Sequence, residues 1–352
     1  MQLKKILSCT AGIGSAIGVS HLRMENTDDH CHECDQALVG AVKLGIIAWE
    51  KAEPEAIGTA DVARERGHSA VVFELDDVRC DPSPGGAVAS VQGTPLSEFD
   101  VILCRCDLST PPWTEKIQQL LLLNGEPGVI VLDPLDVHIR AASKRAMLQQ
   151  LTLHGIPVPP TKECRSAADV RAALDAWGQV VVKPALGYRG LDVERILEGP
   201  TTAALQLIDA LLERHGTLLC QPYLEHTGDY RVLIIGSKVS SSMRFDTAAD
   251  GDWKPFSGDL ADDPVSSAFV EPPDELTSLA LRAAKAADLT IAGVDIIMTE
   301  ASLTVIEVNP VPGWAAWTPE LARVPNGQLV DFAESQANAQ GGVGATSAQR
   351  WR

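Results

Sequence analysis

Gly293-Val294-Asp295-Ile296, followed twelve residues past its aspartate by Glu307-Val308-Asn309, is the stretch on which the reading of this chain turns. Both pieces lie in apolar, β-branched runs, 291–298 and 303–308, whose lengths suit adjacent strands of a buried sheet. Only a short turn around Glu300-Ala301-Ser302 separates them, so the side chains of Asp295, Glu307 and Asn309 can converge on one point. Oxygen ligands without histidine or cysteine suit magnesium, which keeps several waters and shares phosphate oxygens with the protein. The plainer alternative, one acid capping a turn and the others solvated, yields to what the upstream sequence supplies.

The 352 residues suffice for two or three small domains, each with its own core. A 45% hydrophobic and 22% charged composition is that of an ordinary globular enzyme. The formal net charge of −18 argues against a nucleic-acid binder, which needs a basic footprint, and against attraction to an acidic membrane surface. No run approaches the roughly 18 consecutive apolar residues of a membrane span. The opening Met1-Gln2-Leu3-Lys4-Lys5 and the stretch 6–20 imitate a signal peptide only faintly. Ser8, Thr10, Gly12, Gly14 and Ser15 interrupt its apolar core, so a cytoplasmic chain is expected. Eight cysteines in this length suit reduced thiols rather than a disulfide framework.

Residues 1–42 read as an N-terminal extension holding His30-Cys31-His32-Glu33-Cys34, whose C-x-x-C spacing is half of a zinc site. No second half is evident, since Cys104-Arg105-Cys106 has the wrong spacing, and an exposed reduced pair is expected. Gly12-Ile13-Gly14-Ser15-Ala16-Ile17-Gly18 lacks the strand and the downstream acid of a dinucleotide fingerprint. From Lys43 onward, strands at 44–48, 70–74, 99–104 and 129–132 alternate with helices at 55–66 and 116–123. That order predicts a parallel α/β domain over 43–136, with its ligand crevice at the carboxyl ends of the strands. A second unit over 137–220 begins with a helix, 143–154, stopped by Gly155-Ile156-Pro157. It continues with helices at 167–177 and 202–215 and strands at 179–183 and 217–221. A third unit over 221–332 holds a hairpin-like pair around Gly236-Ser237, a helix at 274–288 and the two strands quoted first. Residues 333–352, rich in Gly, Ala, Ser and Gln without an apolar period, predict a disordered tail.

Val180-Val181-Val182-Lys183-Pro184-Ala185-Leu186-Gly187-Tyr188-Arg189-Gly190 reads as a strand whose lysine opens a glycine-containing turn. Such glycines let backbone amides approach phosphate oxygens, and the ammonium supplies a point charge. The Walker pattern is excluded, because the lysine precedes the glycines and no Lys-Ser/Thr pair opens a helix. A surface turn with a solvated lysine is the bland alternative. Around this motif, Lys144 opens the helix before Gly155-Ile156-Pro157-Val158-Pro159, and Gln221-Pro222-Tyr223-Leu224 ends a strand. Asp229-Tyr230-Arg231 opens the following strand, and Arg244 ends its partner.

Over about residues 43–330, in family order, this set resembles the ATP-grasp superfamily, and more narrowly the RimK-type α-L-glutamate ligases near the glutathione synthetases. The resemblance implies an α+β ATP-grasp architecture, with an N-terminal parallel α/β domain followed by two ATP-grasp subdomains enclosing the nucleotide. It implies that Lys144 and Lys183 contact the ATP phosphates and that Gly187, Tyr188, Arg189 and Gly190 cover them. Gln221, Pro222, Tyr223 and Leu224 would read adenine through backbone groups, with Asp229 also at the cofactor. Arg231 and Arg244 would be catalytic, neutralising the transferring phosphoryl group and an acyl phosphate; sheet-edge ion pairing is their bland alternative. Asp295, Glu307 and Asn309 would hold one or two magnesium ions, or manganese. The implied enzyme is an ATP-dependent ligase forming a carbon–nitrogen bond, a reaction that needs cations and metal more than a nucleophile. Its partners would be a small-molecule or peptide carboxylate and an amino-acid amine, glutamate first, with no nucleic acid or membrane. Such ligases are often dimers or tetramers, so a homo-oligomer fits the resemblance.

Two departures bear on the substrate. Relatives carry an asparagine in an Arg-x-Asn setting after the second arginine. Here the loop reads Asp250-Gly251-Asp252-Trp253-Lys254-Pro255-Phe256-Ser257-Gly258-Asp259, with Lys254 in the arginine's place and no asparagine. The second departure is Asn309-Pro310-Val311-Pro312-Gly313-Trp314, bulkier than the small residues many glutamate ligases have there. Gly313, Trp314 and Trp317 are expected to line an acceptor pocket with aromatic faces, as in ligases acting on pterin-type coenzymes. Burial of both tryptophans in the core is the alternative. Two other functions are kept open: a glutamate ligase acting on a protein C-terminus, and a decayed ATP-binding module whose altered loop no longer supports catalysis. A metal or redox protein built on the amino-terminal cysteines would instead carry stoichiometric zinc.

Overall fold

The computed structural model describes residues 40–341, apart from 84–85, 107, 109–111, 125–127, 188–189, 198, 227, 247–252, 254–266, 301 and 315–316. Cys31 and Cys34 of the extension, Tyr188 and Arg189 of the glycine-containing turn, Lys254, and residues 342–352 lie outside the described residues.

Continuous apolar runs build the first sheet, because a parallel strand covered on both faces has no polar side to show. Its strands are β1 (Lys43–Ala48), β2 (Ser69–Glu74), β6 (Val101–Cys104) and β7 (Ile130–Leu132), parallel in the order β2-β1-β6-β7. Helices α1 (Pro54–Glu65), α2 (Trp113–Asn124) and α3 (Leu135–Ala142) complete this part. Between β2 and β6 the chain inserts a small antiparallel sheet of β3 (Val78–Ser83), β4 (Gly86–Val91) and β5 (Thr94–Pro95). That insertion is hard to read along the chain, because Pro82-Ser83-Pro84-Gly85-Gly86 carries loop chemistry.

The second sheet is antiparallel. Helix α4 (Lys144–Leu153) leads to β8 (Lys162–Cys164), α5 (Ala167–Trp177), β9 (Val180–Pro184), β10 (Glu194–Ile196), α6 (Thr202–His215) and β11 (Leu218–Pro222), in the order β10-β9-β11-β8. Side-chain caps fix where its helices start. Ser166 accepts from Asp169 N while Asp169 reaches back to the Ser166 amide, and Thr201 accepts from Ala204 N.

The third sheet runs β14-β13-β12-β15-β16, antiparallel throughout, from β12 (Gly228–Ile235), β13 (Lys238–Asp246), β14 (Ser267–Phe269), β15 (Ile291–Met298) and β16 (Leu303–Asn309). Gly236 turns β12 into β13 at φ +65°, and a Cβ there would sit 3.2 Å from the Phe332 ring. Helix α7 (Asp274–Ala286) covers one face. Leu276, Leu279, Ala280 and Ala283 pack there on Tyr230, Val232, Val294 and Ile296. Residues directly opposite in an antiparallel pair share a face. The pairings Arg231↔Asp295 and Asp295↔Glu307 therefore set these three together on the face away from α7.

The expected tail is corrected in part. Residues 319–341 form α8 (Pro319–Gly341), which continues through 333–341. Ala333 is 1% exposed in a core shared with Ala56, Ala60 and Ala63 of α1, and Arg66 and His68 pair with Asp331 and Glu334. Small residues that look featureless along the chain are here the close-packing side of a helix on a helix. Among the described residues, no helix is long and apolar enough to cross a membrane.

Candidate active site

Three elements bring charges to the face of the third sheet away from α7. A bulge between Asp295 and Ile296 leaves Ile306 outside the regular pairing of β15 with β16. The carbonyl of Ile306 accepts from Lys183 Nζ at 3.5 Å. Gly293 pairs with Asn309 at the end of this ladder, and a Cβ on Gly293 would meet Pro312 Cβ at 3.0 Å, so the strand admits no side chain there without a shift.

Lys144 comes from the first turn of α4. Its helix is capped by Ser143 Oγ, which accepts from Ala146 N at 3.3 Å, and its own amide donates to Ala185 O at 2.9 Å. That backbone bond ties the helix start to the turn after β9. The Lys144 ammonium then donates to Gly187 O at 3.1 Å and to Glu307 Oε1. Arg231 donates to both oxygens of Asp295, Nε to Oδ1 at 2.7 Å and Nη2 to Oδ2 at 2.6 Å, a two-pronged pair that fixes the guanidinium plane.

Charge and burial act together here. Burial pushes the Lys183 ammonium down to about 8; Glu307 pulls it back up, Lys144 presses it lower, and Asp295 raises it slightly. Burial would raise the Glu307 carboxyl, but Lys144, then Lys183 and Arg231, outweigh it and hold it below the usual carboxylate range. Burial opposes the charge of Arg231, and Asp295, Glu307 and Asp229 more than offset it. In a chain of net charge −18, Lys144, Lys183 and Arg231 gather at this spot against Asp229, Asp295 and Glu307. Three cations on one sheet face can receive a polyanion whose metal takes up the carboxylates.

The expected residues fall into three groups. Lys144, Lys183, Arg231, Asp295 and Glu307 come together, with Gly187 against Lys144. Asp229, 3% exposed, and Asn309 share their face; Asn309 Oδ1 accepts from Val311 N at 2.9 Å. At the end of β11, Gln221 donates to Thr161 Oγ1 at 2.9 Å, and the Tyr223 amide, expected to be a reader of adenine, donates instead to Gln179 O at 3.0 Å. Pro222 is paired with Val180 in the ladder, and Leu224 follows beyond it. Gly190 adopts φ +65°. Reading along the chain missed Arg195, whose guanidinium lies 3.6 Å from the Tyr223 ring centroid and donates to Gln179 Oε1 at 2.6 and 3.1 Å.

Two expectations are corrected. Arg244 pairs with Tyr230, not with Arg231, and so lies on the α7 face, 5.8 Å from the Tyr230 ring. The two-residue period of a strand puts Met243 beside Arg231 and Phe245 beside Asp229 on the site face. Trp314 lines no pocket. It is 1% exposed, its Nε1 donates to Asn326 Oδ1 at 3.0 Å, its amide donates to Glu55 Oε1 at 2.6 Å, and Arg105 lies 4.9 Å over its ring. The α1–α8 core claims this indole, while Gly313 beside it is exposed. Trp317 stacks edge-on against Phe269 at 4.8 Å.

Comparison with known proteins gives the family and the fold. The family model of the RimK-like ATP-grasp domain matches residues 141–322, and the chain belongs to that family. With it goes the class, a ligase forming carbon–nitrogen bonds. A protein of Aeromonas salmonicida named as a probable alpha-L-glutamate ligase is 28% identical over 304 residues, covering 84% of this chain and 98% of its own. The crystal structure of a RimK domain ATP-grasp protein from Sphaerobacter thermophilus superposes with a TM-score of 0.59 at 20% identity, over 83% of this chain and 99% of that one. The ATP-grasp ligase PsnB, complexed with a phosphomimetic variant of its minimal precursor, Mg and ADP, superposes with a TM-score of 0.63 at 19% identity, over 84% and 98%. These two likenesses establish the fold.

Proposed function

We propose that this chain joins a carboxylate to an amino-acid amine at the expense of ATP, with glutamate as the amine. The observation that carries this reading is the meeting of Lys144, Lys183 and Arg231 with Asp295 and Glu307 on one sheet face. Lys183 and Lys144 would take the polyphosphate, with Gly187 and Gly190 in the loop beside it and the 221–224 segment toward the base. Two features favour a metal there: the donor set is all oxygen, and each of Asp295, Glu307 and Asn309 lies on the same side of the β15–β16 ladder. Magnesium bound by these three would neutralise phosphate oxygens.

The protein's own groups have defined tasks in this scheme. Lys183, partly neutral near pH 8, gains a proton at Nζ when a polyanion comes beside it. Arg231, fixed by Asp295, offers a charge whose plane is set before substrate arrives, which lowers the reorganisation needed at the reacting centre. Lys144 would leave Glu307 for phosphate, freeing the carboxylate for a metal. A glutamate donor rests on the names of relatives such as the Aeromonas salmonicida protein. Trp314, in the core, does not offer its ring to a pterin-type acceptor. A small-molecule or peptide carboxylate fits better, and a peptide has a parallel in the precursor held by PsnB.

The test is phosphate release from Mg-ATP across paired panels of amines and carboxylates, with mass spectrometry of products. Release that requires both partners, with a product heavier by the amine less water, is expected. ATP binding without release for any pair, peptides included, would replace ligation by nucleotide binding alone.

A further inference from the structure

The end of β6 and the first turns of α3 meet at a place the ligation chemistry does not use. Cys104 and Cys106 are two residues apart, so an extended chain turns both thiols to one side, and their sulfurs lie 3.5 Å apart. His138 of α3 closes on them, its Nε2 3.3 Å from Cys106 O. The two sulfurs and an imidazole nitrogen all lie within 4.8 Å of one another. The residues are 4%, 3% and 1% exposed, and His138 Nδ1 is buried with no hydrogen-bond partner among the described residues. A buried ring nitrogen without a partner, on an imidazole with one nitrogen within 4.8 Å of both sulfurs, is a costly arrangement unless something completes it.

We propose that Cys104, Cys106 and His138 form a binding site for a thiophilic metal ion of the zinc class. Two thiolates neutralise a divalent charge in the interior, and sulfur with imidazole is the donor set zinc takes. Zinc–sulfur bonds of about 2.3 Å at a tetrahedral angle place two sulfurs about 3.8 Å apart, so the pair seen here needs only about 0.3 Å of adjustment. A hard cation is disfavoured because the nearby Asp133 carboxylate is already taken, by Thr290 N at 3.0 Å, Thr290 Oγ1 at 2.5 Å and Ile291 N at 3.2 Å. A disulfide between the same sulfurs would leave His138 without a role and close a strained three-residue loop.

The site would brace the ligase cleft from behind. Arg105, between the two cysteines, donates to Glu53 Oε1 at 2.6 Å and to Pro312 O at 3.0 Å. Pro312 is the residue packed on Gly293, which pairs with Asn309. A metal that pins β6 to α3 therefore steadies the support of the loop following β16.

The test uses the full chain carrying Cys31→Ser and Cys34→Ser, so that the amino-terminal pair contributes nothing. The reduced, metal-free protein is titrated with cobalt(II), then zinc. Expected are sulfur-to-cobalt charge-transfer absorption and intense tetrahedral d–d bands that saturate at one equivalent and vanish on adding one equivalent of zinc. In the same background, His138→Gln keeps the charge-transfer band and weakens binding at least about tenfold, while Cys104→Ser with Cys106→Ser abolishes it; circular dichroism checks that each is folded. Absence of the band in the parent, with freely titrating thiols, would overturn the site. So would recovery of Cys104 and Cys106 as a disulfide under the same reducing conditions. Because the parent keeps all three ligands, misfolding of the later variants leaves the result decisive.

Discussion

Lys144, on the first turn of α4, and Glu307, on β16, are ion-paired across the two elements that frame the site, and the same ammonium also holds Gly187 O at 3.1 Å. Lys144 is nearly buried, at 11% side-chain exposure, while Glu307 is half-open at 38%. In the proposed scheme a phosphate and its metal would take the place of this pair, and the contact would be exchanged on binding.

Glu307→Gln keeps the shape and removes the charge. Magnesium-dependent turnover should fall by more than about a hundredfold, because a metal contact at a transferring phosphoryl group is worth several kcal/mol. The thermal midpoint should move little, since Lys144 keeps an oxygen to donate to. Steady-state kinetics of this variant with unchanged turnover would remove Glu307 from the metal site.

Lys183 gives a signed pH effect. Its ammonium titrates near 8 in the folded chain against 10.5 for an unburied lysine. Between those values the unfolded chain holds more protons, so this group makes the nucleotide-free protein more stable as pH rises from about 8 to about 10.5. Lys183→Met should flatten that rise in urea titrations. Binding Mg-ATP at pH 8 should take up as much as about half a proton, read by calorimetry in buffers of different ionisation enthalpy. No difference between buffers would move the polyphosphate away from Lys183.

Arg231 and Arg244 should behave differently. Arg231→Met leaves Asp295, at 8% side-chain exposure, buried without its partner, and should cost about 3 kcal/mol of stability together with most turnover. Adding Asp295→Leu should restore stability without restoring turnover. Arg244→Gln, on the α7 face, should keep turnover within about threefold, as expected for a side chain outside the reacting centre. Equal losses of turnover for Arg231→Met and Arg244→Gln would contradict the assignment of faces.

Trp314→Phe removes one of two bonds to Asn326 Oδ1, the other coming from Thr59 Oγ1 at 3.2 Å, and should cost about 1 kcal/mol for that bond. The KM for the carboxylate substrate should stay as it was. A selective rise in that KM, with stability unchanged, would return the indole to a substrate pocket.

Much of this was legible along the chain because the key signals are local. Lys144 at a helix start, Lys183 at a strand end before glycines, and Asp295, Glu307 and Asn309 on consecutive strands each carry their reading within a few residues. What failed was long-range. The resemblance puts Arg244 beside the phosphoryl group, and counting residue by residue outward from the Gly236-Ser237 turn sets it opposite Asp229; the bulge at Leu233/Ile234, invisible along the chain, shifts the register by one and sets it opposite Tyr230 instead. Trp314 looked like a pocket residue because its partners Glu55 and Asn326 lie 259 residues before it and 12 after it. The helical 333–341 segment was hidden for a similar reason: its stability comes from α1, far upstream, and not from an apolar period of its own.

A crystal structure of the chain with magnesium and a non-hydrolysable ATP analogue would decide whether the Lys144–Lys183–Arg231 and Asp295–Glu307 cluster holds Mg-ATP. Expected are metal at about 2.1 Å from oxygens of Asp295, Glu307 and Asn309, phosphate oxygens on Lys183, and Lys144 turned from Glu307 toward phosphate. A nucleotide bound elsewhere, with Lys144 still paired to Glu307, would contradict it.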